Sequence, residues 1–254
     1  IITVGFLLGE ATEAAAQANP DVSFAIVDFG YEETYDNLLA LTFSTDQASF
    51  LAGYVAAAQT ETGTVGTYGG INIPTVSIFM DGYLAGVRYH NQEKGTDVTV
   101  EGWDGTDGTF TGDFSSQDNG RRVTDQLLAN GADIIMPVAG PVGLGSAAAL
   151  EEAGKGKLIW VDTDGYVSAE QFGSLMLTSV MKNMDVAVYT AIEAVANGTF
   201  EGGAYVGTLE NDGVAIAPFH DFDDDVSDET KSELDAIRQG IIDGSISVDP
   251  ADYS

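Results

Sequence analysis

An apolar, β-prone run ends and a helical pattern begins at Val161-Asp162-Thr163-Asp164-Gly165. Four junctions of this kind, each with a polar or glycine turn between a strand pattern and a helical pattern, occur along the chain. Strands that alternate with helices predict βαβ units, in which helices cover the faces of a parallel sheet. Ligands of such sheets bind at the carboxyl ends of the strands, so the acidic pair Asp162 and Asp164 indicates a small, polar, hydroxylated ligand. The predicted fold class is α/β.

The alternation of strands and helices is interrupted at residues 38–44 and again at residues 175–183. These interruptions favour two sheets of about three to five strands each over one long sheet. No flexible Ser/Pro linker accompanies them, so we expect the interruptions to be crossings of the chain between two lobes.

The charge of the chain excludes whole classes of partner. Its 254 residues include 40 Asp and Glu but only 9 Lys and Arg, which gives a formal net charge of −31. Binding to phosphate backbones or anionic lipid surfaces needs clustered basic residues, so we expect no nucleic-acid partner. The acidic residues are interpreted as a solvated face that keeps the protein soluble, and docking on a basic partner remains the alternative.

The chain contains few residues and motifs that could serve in catalysis. There is no cysteine, which excludes disulfides and thiol chemistry, and the Gly-x-Ser-x-Gly and Walker A motifs are both absent. His90 and His220 have neither a second histidine at metal-ligand spacing nor an obvious nucleophile nearby, so both are interpreted as structural. No cofactor and no metal are expected. A sugar- or nucleoside-processing α/β enzyme remains an alternative that lacks a recognisable general base.

Asp162 and Asp164 are the first candidate ligand-binding residues. A carboxylate at a strand end accepts paired hydrogen bonds from vicinal hydroxyl groups. Asp-x-Asp-Gly also opens many calcium loops, but the later ligand positions of such loops are missing here. A loop-capping aspartate that bonds the local backbone is the structural alternative.

Three further residues stand at the ends of predicted strands. Lys182 follows a nearly apolar strand, and its ammonium group suits a ligand carbonyl or ring nitrogen, although a surface lysine is the alternative. Asp28 holds the same place after Phe24–Val27, where an ordinary turn aspartate is the alternative. Gly140 opens a glycine-rich turn before a helix, which favours tight packing with ligand contact as an additional role.

Eight short motifs occur here in the order in which one protein family has them. They are Gly5-Phe6, Phe24-Ala25-Ile26-Val27-Asp28, Phe50-Leu51-Ala52-Gly53, Gly82-Tyr83 with Gly86-Val87, Gly131-Ala132-Asp133-Ile134-Ile135, Val138-Ala139-Gly140, Val161-Asp162 with Asp164, and Leu177-Thr178-Ser179 with Lys182. From Ile1 to about Gly213 the chain resembles the BMP (basic membrane protein) family. These proteins are substrate-binding lipoproteins of ABC transporters, related to the purine nucleoside receptor PnrA.

The resemblance implies a type I periplasmic-binding fold. In that fold two α/β lobes are joined by three hinge crossings, and the ligand is held in the cleft between the lobes without a reaction. Crossings are expected near Phe43, Thr178 and Gly202. The first lobe would then comprise residues 1–43 and 180–202, and the second lobe residues 44–179 and 203–254.

The resemblance also implies roles for individual residues. Asp162 would hold the ribose hydroxyls, Lys182 and Asp28 would contact the base or the sugar, and Gly140 would line the wall. Met136 stands where a second aromatic residue is expected to stack on the base. Family members begin with a further strand, a helix and a segment that supplies another stacking aromatic, so we expect either that the first part of this chain has been removed or that its first lobe is incomplete.

The resemblance implies an extracytoplasmic receptor. Its expected ligand is a nucleoside, its expected partners are the permease subunits of an ABC importer, and its expected membrane contact is a lipid anchor outside this chain. A ligand-sensing protein of the same fold that feeds a signalling partner remains a further alternative.

Overall fold

The computed structural model describes residues Ile1–Tyr253. The strands are β1 (Ile2–Val4), β2 (Phe24–Val27), β3 (Leu38–Phe43), β4 (Thr64–Gly69), β5 (Thr99–Glu101), β6 (Ile134–Val138), β7 (Lys157–Asp162), β8 (Met176–Lys182), β9 (Gly203–Gly207) and β10 (Val214–Ile216). The α-helices are α1 (Gly9–Ala18), α2 (Thr45–Gln59), α3 (Pro74–Lys94), α4 (Gln117–Ala129), α5 (Gly143–Ala153), α6 (Gly165–Ser168), α7 (Met184–Asn197) and α8 (Asp228–Ile242). Short 3-10 helices comprise Phe6–Leu8, Gly140–Val142, Glu170–Leu175, His220–Phe222 and Pro250–Asp252.

The chain folds into two compact units and crosses between them three times. The first unit comprises Ile1–Ser44 and Lys182–Val214, and the second comprises Thr45–Met181 and Ala215–Ser254. The third crossing therefore lies at residue 214 rather than near the expected Gly202. The reason is that β9 pairs in parallel with β3, which keeps the residues after 202 in the first unit.

The first unit contains a four-stranded sheet in the order β1-β2-β3-β9, and its three strand pairs are all parallel. Every residue of β2 is buried, as the continuous apolar run Phe24–Val27 requires of a strand covered on both faces. Phe24, Ile26 and Leu38 pack with Ala16 of α1 in the core of this unit.

The second unit contains a six-stranded sheet in the order β10-β8-β7-β6-β4-β5. Its core packs residues of β6 and β7 against α4 and α5, with Ile135, Leu158 and Leu150 fully buried. On α3, Gly82 and Gly86 lie directly against the backbone of α2, where a Cβ would overlap a carbonyl oxygen. The glycine spacing in the sequence thus marks a close helix crossing.

Part of the surface of the first unit is apolar. A groove of about 570 Å³ runs beside the edge strand β1 and the outer face of α7. Ile192 and Val195 of α7, which line this groove, are 53% and 49% exposed. No helix within residues 1–253 combines the length and the apolar character of a membrane span.

Candidate functional site

At the carboxyl end of β2 in the first unit, Asp28 forms an ion pair with Lys182. The Nζ atom of Lys182 lies 3.0 Å and 2.8 Å from the two carboxylate oxygens of Asp28. Lys182 is only 7% exposed, and an ammonium group at such a depth requires a carboxylate close by. The sequence predicted both residues as site residues, and the structure brings them into direct contact.

The backbone of Asp28 is unusual. Its φ of 67° places it in the left-handed region that residues other than glycine rarely adopt. Its amide donates a hydrogen bond of 3.0 Å to the carbonyl of Leu41 on the neighbouring strand. The turn therefore holds the carboxylate at the end of the sheet, although the strand pattern alone does not indicate this conformation.

At the carboxyl end of β7 in the second unit, Asp162 also has a positive φ. Its φ is 71°, and the amide of Thr163 donates a hydrogen bond of 2.9 Å to the carbonyl of Val161 across it. A bond between residues that are two apart makes Asp162 the centre of a γ-turn of the rare, strained kind. The side chain is partly exposed at the strand end.

Gly140 and Met136 belong to the neighbouring strand β6 and the turn after it. Gly140 has a φ of 53°, and a Cβ at this position would meet no atom within 4 Å, so the turn borders open space. Met136 is fully buried within β6, where its carbonyl accepts a hydrogen bond of 2.8 Å from Thr67 Oγ1. Contact of a ligand with Gly140 needs no rearrangement, whereas contact with the side chain of Met136 would require it to move.

Asp164 links the turn of Asp162 to a distant segment. One of its carboxylate oxygens accepts a hydrogen bond of 3.0 Å from the amide of Tyr166 and so caps α6, while the other lies 2.8 Å from Nε2 of His220. The rings of His220 and Tyr166 are stacked, with centroids 4.1 Å apart and planes at 11°. The hydroxyl of Tyr166 donates to Asp221, and this hydrogen bond raises the pKa of Tyr166.

From the sequence, a loop-capping aspartate is the alternative to a ligand-binding one, and Asp164 has this capping role. The partnership with His220 was missed, because the two residues are 56 positions apart and nothing in the sequence around His220 indicates it.

The predicted site residues thus fall into two groups. Asp28 and Lys182 meet in the first unit, and Met136, Gly140 and Asp162 lie on or after two adjacent strands of the second unit. Among residues 1–253 there is no group of three or more His, Asp or Glu side chains arranged to hold a metal ion. The carboxylates of Asp28 and Asp162 accept hydrogen bonds, and the ammonium group of Lys182 donates them.

Known proteins are similar to this chain in sequence and in fold. The family model that matches residues 1–252 describes PnrA-like ABC transporter substrate-binding proteins, the Bmp family. Basic membrane protein B of Borrelia garinii subsp. bavariensis is 33% identical over 83% of this chain, which spans 60% of that relative. The ABC transporter nucleoside-binding protein BmpA of Lactococcus lactis subsp. cremoris is 30% identical over 96% of this chain, which spans 69% of that relative.

A solved structure supports the fold. The crystal structure of ABC transporter system solute-binding proteins from Aeropyrum pernix K1 matches 97% of this chain and 76% of that chain, with a TM-score of 0.85 and 28% identity. The predicted α/β architecture of type I solute-binding proteins is therefore confirmed. On the evidence of the family model and these relatives, the chain belongs to the Bmp family of PnrA-like ABC transporter substrate-binding proteins.

Proposed function

We propose that this protein binds a purine nucleoside and delivers it to the permease of an ABC importer without transforming it. The observation that supports this proposal best is the placement of Asp28, Lys182 and Asp162 at the carboxyl ends of parallel strands. Two carboxylates and one ammonium group suit a ligand that is rich in both hydroxyl groups and ring nitrogens.

Asp162 is assigned to the ribose. An ionised carboxylate only accepts hydrogen bonds, and its two oxygens match the spacing of vicinal hydroxyl donors. The same pairing of an acid with ribose hydroxyls occurs at strand ends of dinucleotide-binding folds. The γ-turn at Asp162 fixes the direction in which its side chain leaves the backbone.

Lys182 and Asp28 are assigned to the base or to the remaining sugar hydroxyl. The ammonium group donates to a ring nitrogen or carbonyl, and the carboxylate of Asp28 accepts from a ring N–H or an amino group. Because the two groups are bonded to each other, each holds the other in a fixed position. Gly140 would line the wall of the site, and the contribution of Met136 stays a prediction.

The relatives add support from outside the chain. The Lactococcus lactis relative is named a nucleoside-binding protein of an ABC transporter, and the family model describes substrate-binding proteins of such transporters. We therefore infer an extracytoplasmic location and an ABC permease as the partner.

A thermal-shift screen tests the proposal. The protein is heated alone and with adenosine, guanosine, inosine, ribose, glucose and amino acids, and each ligand is recovered for mass spectrometry. A ligand at a hundred times its Kd adds about 2.7 kcal/mol of stability. A shift with purine nucleosides and their unchanged recovery support the proposal. Release of free base or sugar would instead identify a nucleoside-processing enzyme, and no shift with any nucleoside would reject the ligand class.

A further inference from the structure

The γ-turn at Asp162 requires contacts that stabilise its backbone conformation. A residue other than glycine in the left-handed region is strained, and this conformation persists only where surrounding contacts leave it no alternative. The φ of 71° at Asp162 is therefore maintained by its neighbours rather than by its own preference.

Two sets of contacts fix the residues directly after Asp162. The amide of Gly165 donates a buried hydrogen bond of 2.9 Å to Oγ of Ser179 on the adjacent strand β8. Asp164 accepts the hydrogen bond from Nε2 of His220. Because a carboxylate only accepts, Nε2 is the donor and carries the proton.

The second set of contacts reaches across the fold. His220 lies in the 3-10 helix after β10, and its ring stacks on Tyr166, which is itself capped by Asp164. We call His220, Asp164 and Tyr166 the histidine clamp. Its three members form a closed set, in which each one contacts the other two.

His220 is itself strained. Its φ of 47° is left-handed, and histidine has a Cβ that disfavours this region. The hydrogen bond thus joins the left-handed His220 to Asp164, which follows the left-handed Asp162 by two residues. Strain of this kind concentrates at sites that must hold a defined geometry, whereas a merely stable loop gains nothing from it.

We propose that His220 is a positioning residue that fixes the γ-turn and so aims the carboxylate of Asp162 at the ligand. The inference rests on the proposed function for the identity of the ligand, but the clamp itself is a property of the ligand-free protein. His220 acts through Asp164 and needs no contact with the ligand.

Two substitutions separate the hydrogen bond from the ring. His220→Gln keeps an N–H donor near the position of Nε2 and loses the ring, while His220→Phe keeps the stacking ring and loses the donor. With adenosine as the probe in isothermal titration, we expect His220→Phe to bind about tenfold more weakly, since a hydrogen bond to a charged group is lost. His220→Gln is expected to remain within about threefold of the wild-type affinity.

Hydrogen exchange of the ligand-free protein gives a second readout. The amides of Thr163, Gly165 and Tyr166 are expected to exchange faster in His220→Phe than in the wild type, with the sheet amides of β6 and β7 unchanged. Exchange of these amides in His220→Phe at the wild-type rate would overturn the proposal that His220 is a positioning residue. An equal loss of adenosine affinity in both variants would overturn it as well. If the wild type does not bind adenosine, the proposed ligand is rejected. The exchange experiment still tests the histidine clamp, because it uses the ligand-free protein.

Discussion

At the scale of single residues, two aspartates end parallel strands in a conformation that L-residues rarely adopt. Asp28 and Asp162 have φ values of 67° and 71°. The sequence predicted both as site residues from their place after an apolar run. It did not predict the left-handed turns, because aspartate also adopts ordinary turn conformations. It did not predict the pairing of Asp28 with Lys182 either, because the two residues lie 154 positions apart.

The strain at Asp162 predicts a trade-off between stability and binding. Asp162→Gly removes the cost of the positive φ and is expected to unfold at a temperature no lower than that of the wild type, while it loses nucleoside binding. Asp162→Ala keeps the strain, loses the short polar side chain that tolerates it, and is expected to unfold at a lower temperature. Thermal unfolding of the three ligand-free proteins checks this order. An alanine variant as stable as the glycine variant would show that the turn is not strained.

At the scale of elements, the sequence indicates where helices begin and end, but it does not indicate which strands pair. Asn197-Gly198 is a helix-stop signal, and α7 ends there with a φ of 68° at Gly198. Ser227 is a typical N-cap residue, and its Oγ accepts a hydrogen bond of 3.1 Å from the amide of Thr230 at the start of α8. These signals are local, so a short segment contains them entirely.

The two β-prone segments at residues 204–209 and 214–218 are close enough in sequence to suggest a hairpin, but the two strands do not pair with each other. β9 joins the sheet of the first unit and β10 joins the sheet of the second unit. The pattern of a strand is read from its neighbours in sequence, whereas the partner of β9 is β3, in which Ala40 pairs with Ala204.

The close crossing of α2 and α3 predicts an intolerance of any side chain at Gly86. A Cβ there would overlap the carbonyl oxygen of Phe50 on α2, so Gly86→Ala is expected to cost about 3 kcal/mol of unfolding free energy. Gly30→Ala is the matched control, because its Cβ would meet only Thr42 at 3.7 Å. Urea denaturation measures both. Equal midpoints for the two variants would contradict the close packing.

The start of α4 predicts a pH-dependent contribution to stability. The carboxylate of Asp113 accepts hydrogen bonds from the amides of Ser116 and Ser115 and from Asn119, which together lower the pKa of Asp113 to about 2. Because the folded pKa lies below the ordinary value of 3.8, this contribution is present above that value and is lost as the pH falls towards 2.

Asp113→Asn is therefore expected to lower the unfolding temperature at neutral pH, and its deficit relative to the wild type should shrink once the pH falls below about 4. Asp224→Asn, at an exposed acidic position, controls for the general loss of one negative charge. Thermal unfolding between neutral and acidic pH measures both variants. A deficit that is constant with pH would show that the charge of Asp113 plays no part.

At the scale of the whole molecule, the sequence predicts a division into two α/β units, but it does not predict all three points at which the chain crosses between them. The interruption near residue 43 and that near residue 180 lie close to the first two crossings, at 44 and 181. The third crossing was placed 12 residues too early, since a strand that returns to the first sheet looks like any other strand in the sequence.

The net charge of the molecule predicts a preference among ligands. At −31 the protein repels a ligand that brings further negative charge, so adenosine is expected to bind more tightly than adenosine 5′-monophosphate. The difference should narrow as salt is raised from 0.01 M to 0.5 M, because the screening length falls from about 30 Å to only a few Å. Titration calorimetry at both salt concentrations checks this. Tighter binding of the monophosphate at low salt would point to a phosphate site that the described residues do not suggest.

The central claim is that the carboxylate of Asp162 binds the vicinal hydroxyls of a ribose. The most direct test is a calorimetric cycle of wild type and Asp162→Asn with adenosine and 2′,3′-dideoxyadenosine. For the wild type, loss of the hydroxyls is expected to weaken binding by about 1.5–3 kcal/mol, whereas the variant should bind both ligands with nearly equal, low affinity. Equal binding of the two ligands by the wild-type protein would contradict the account.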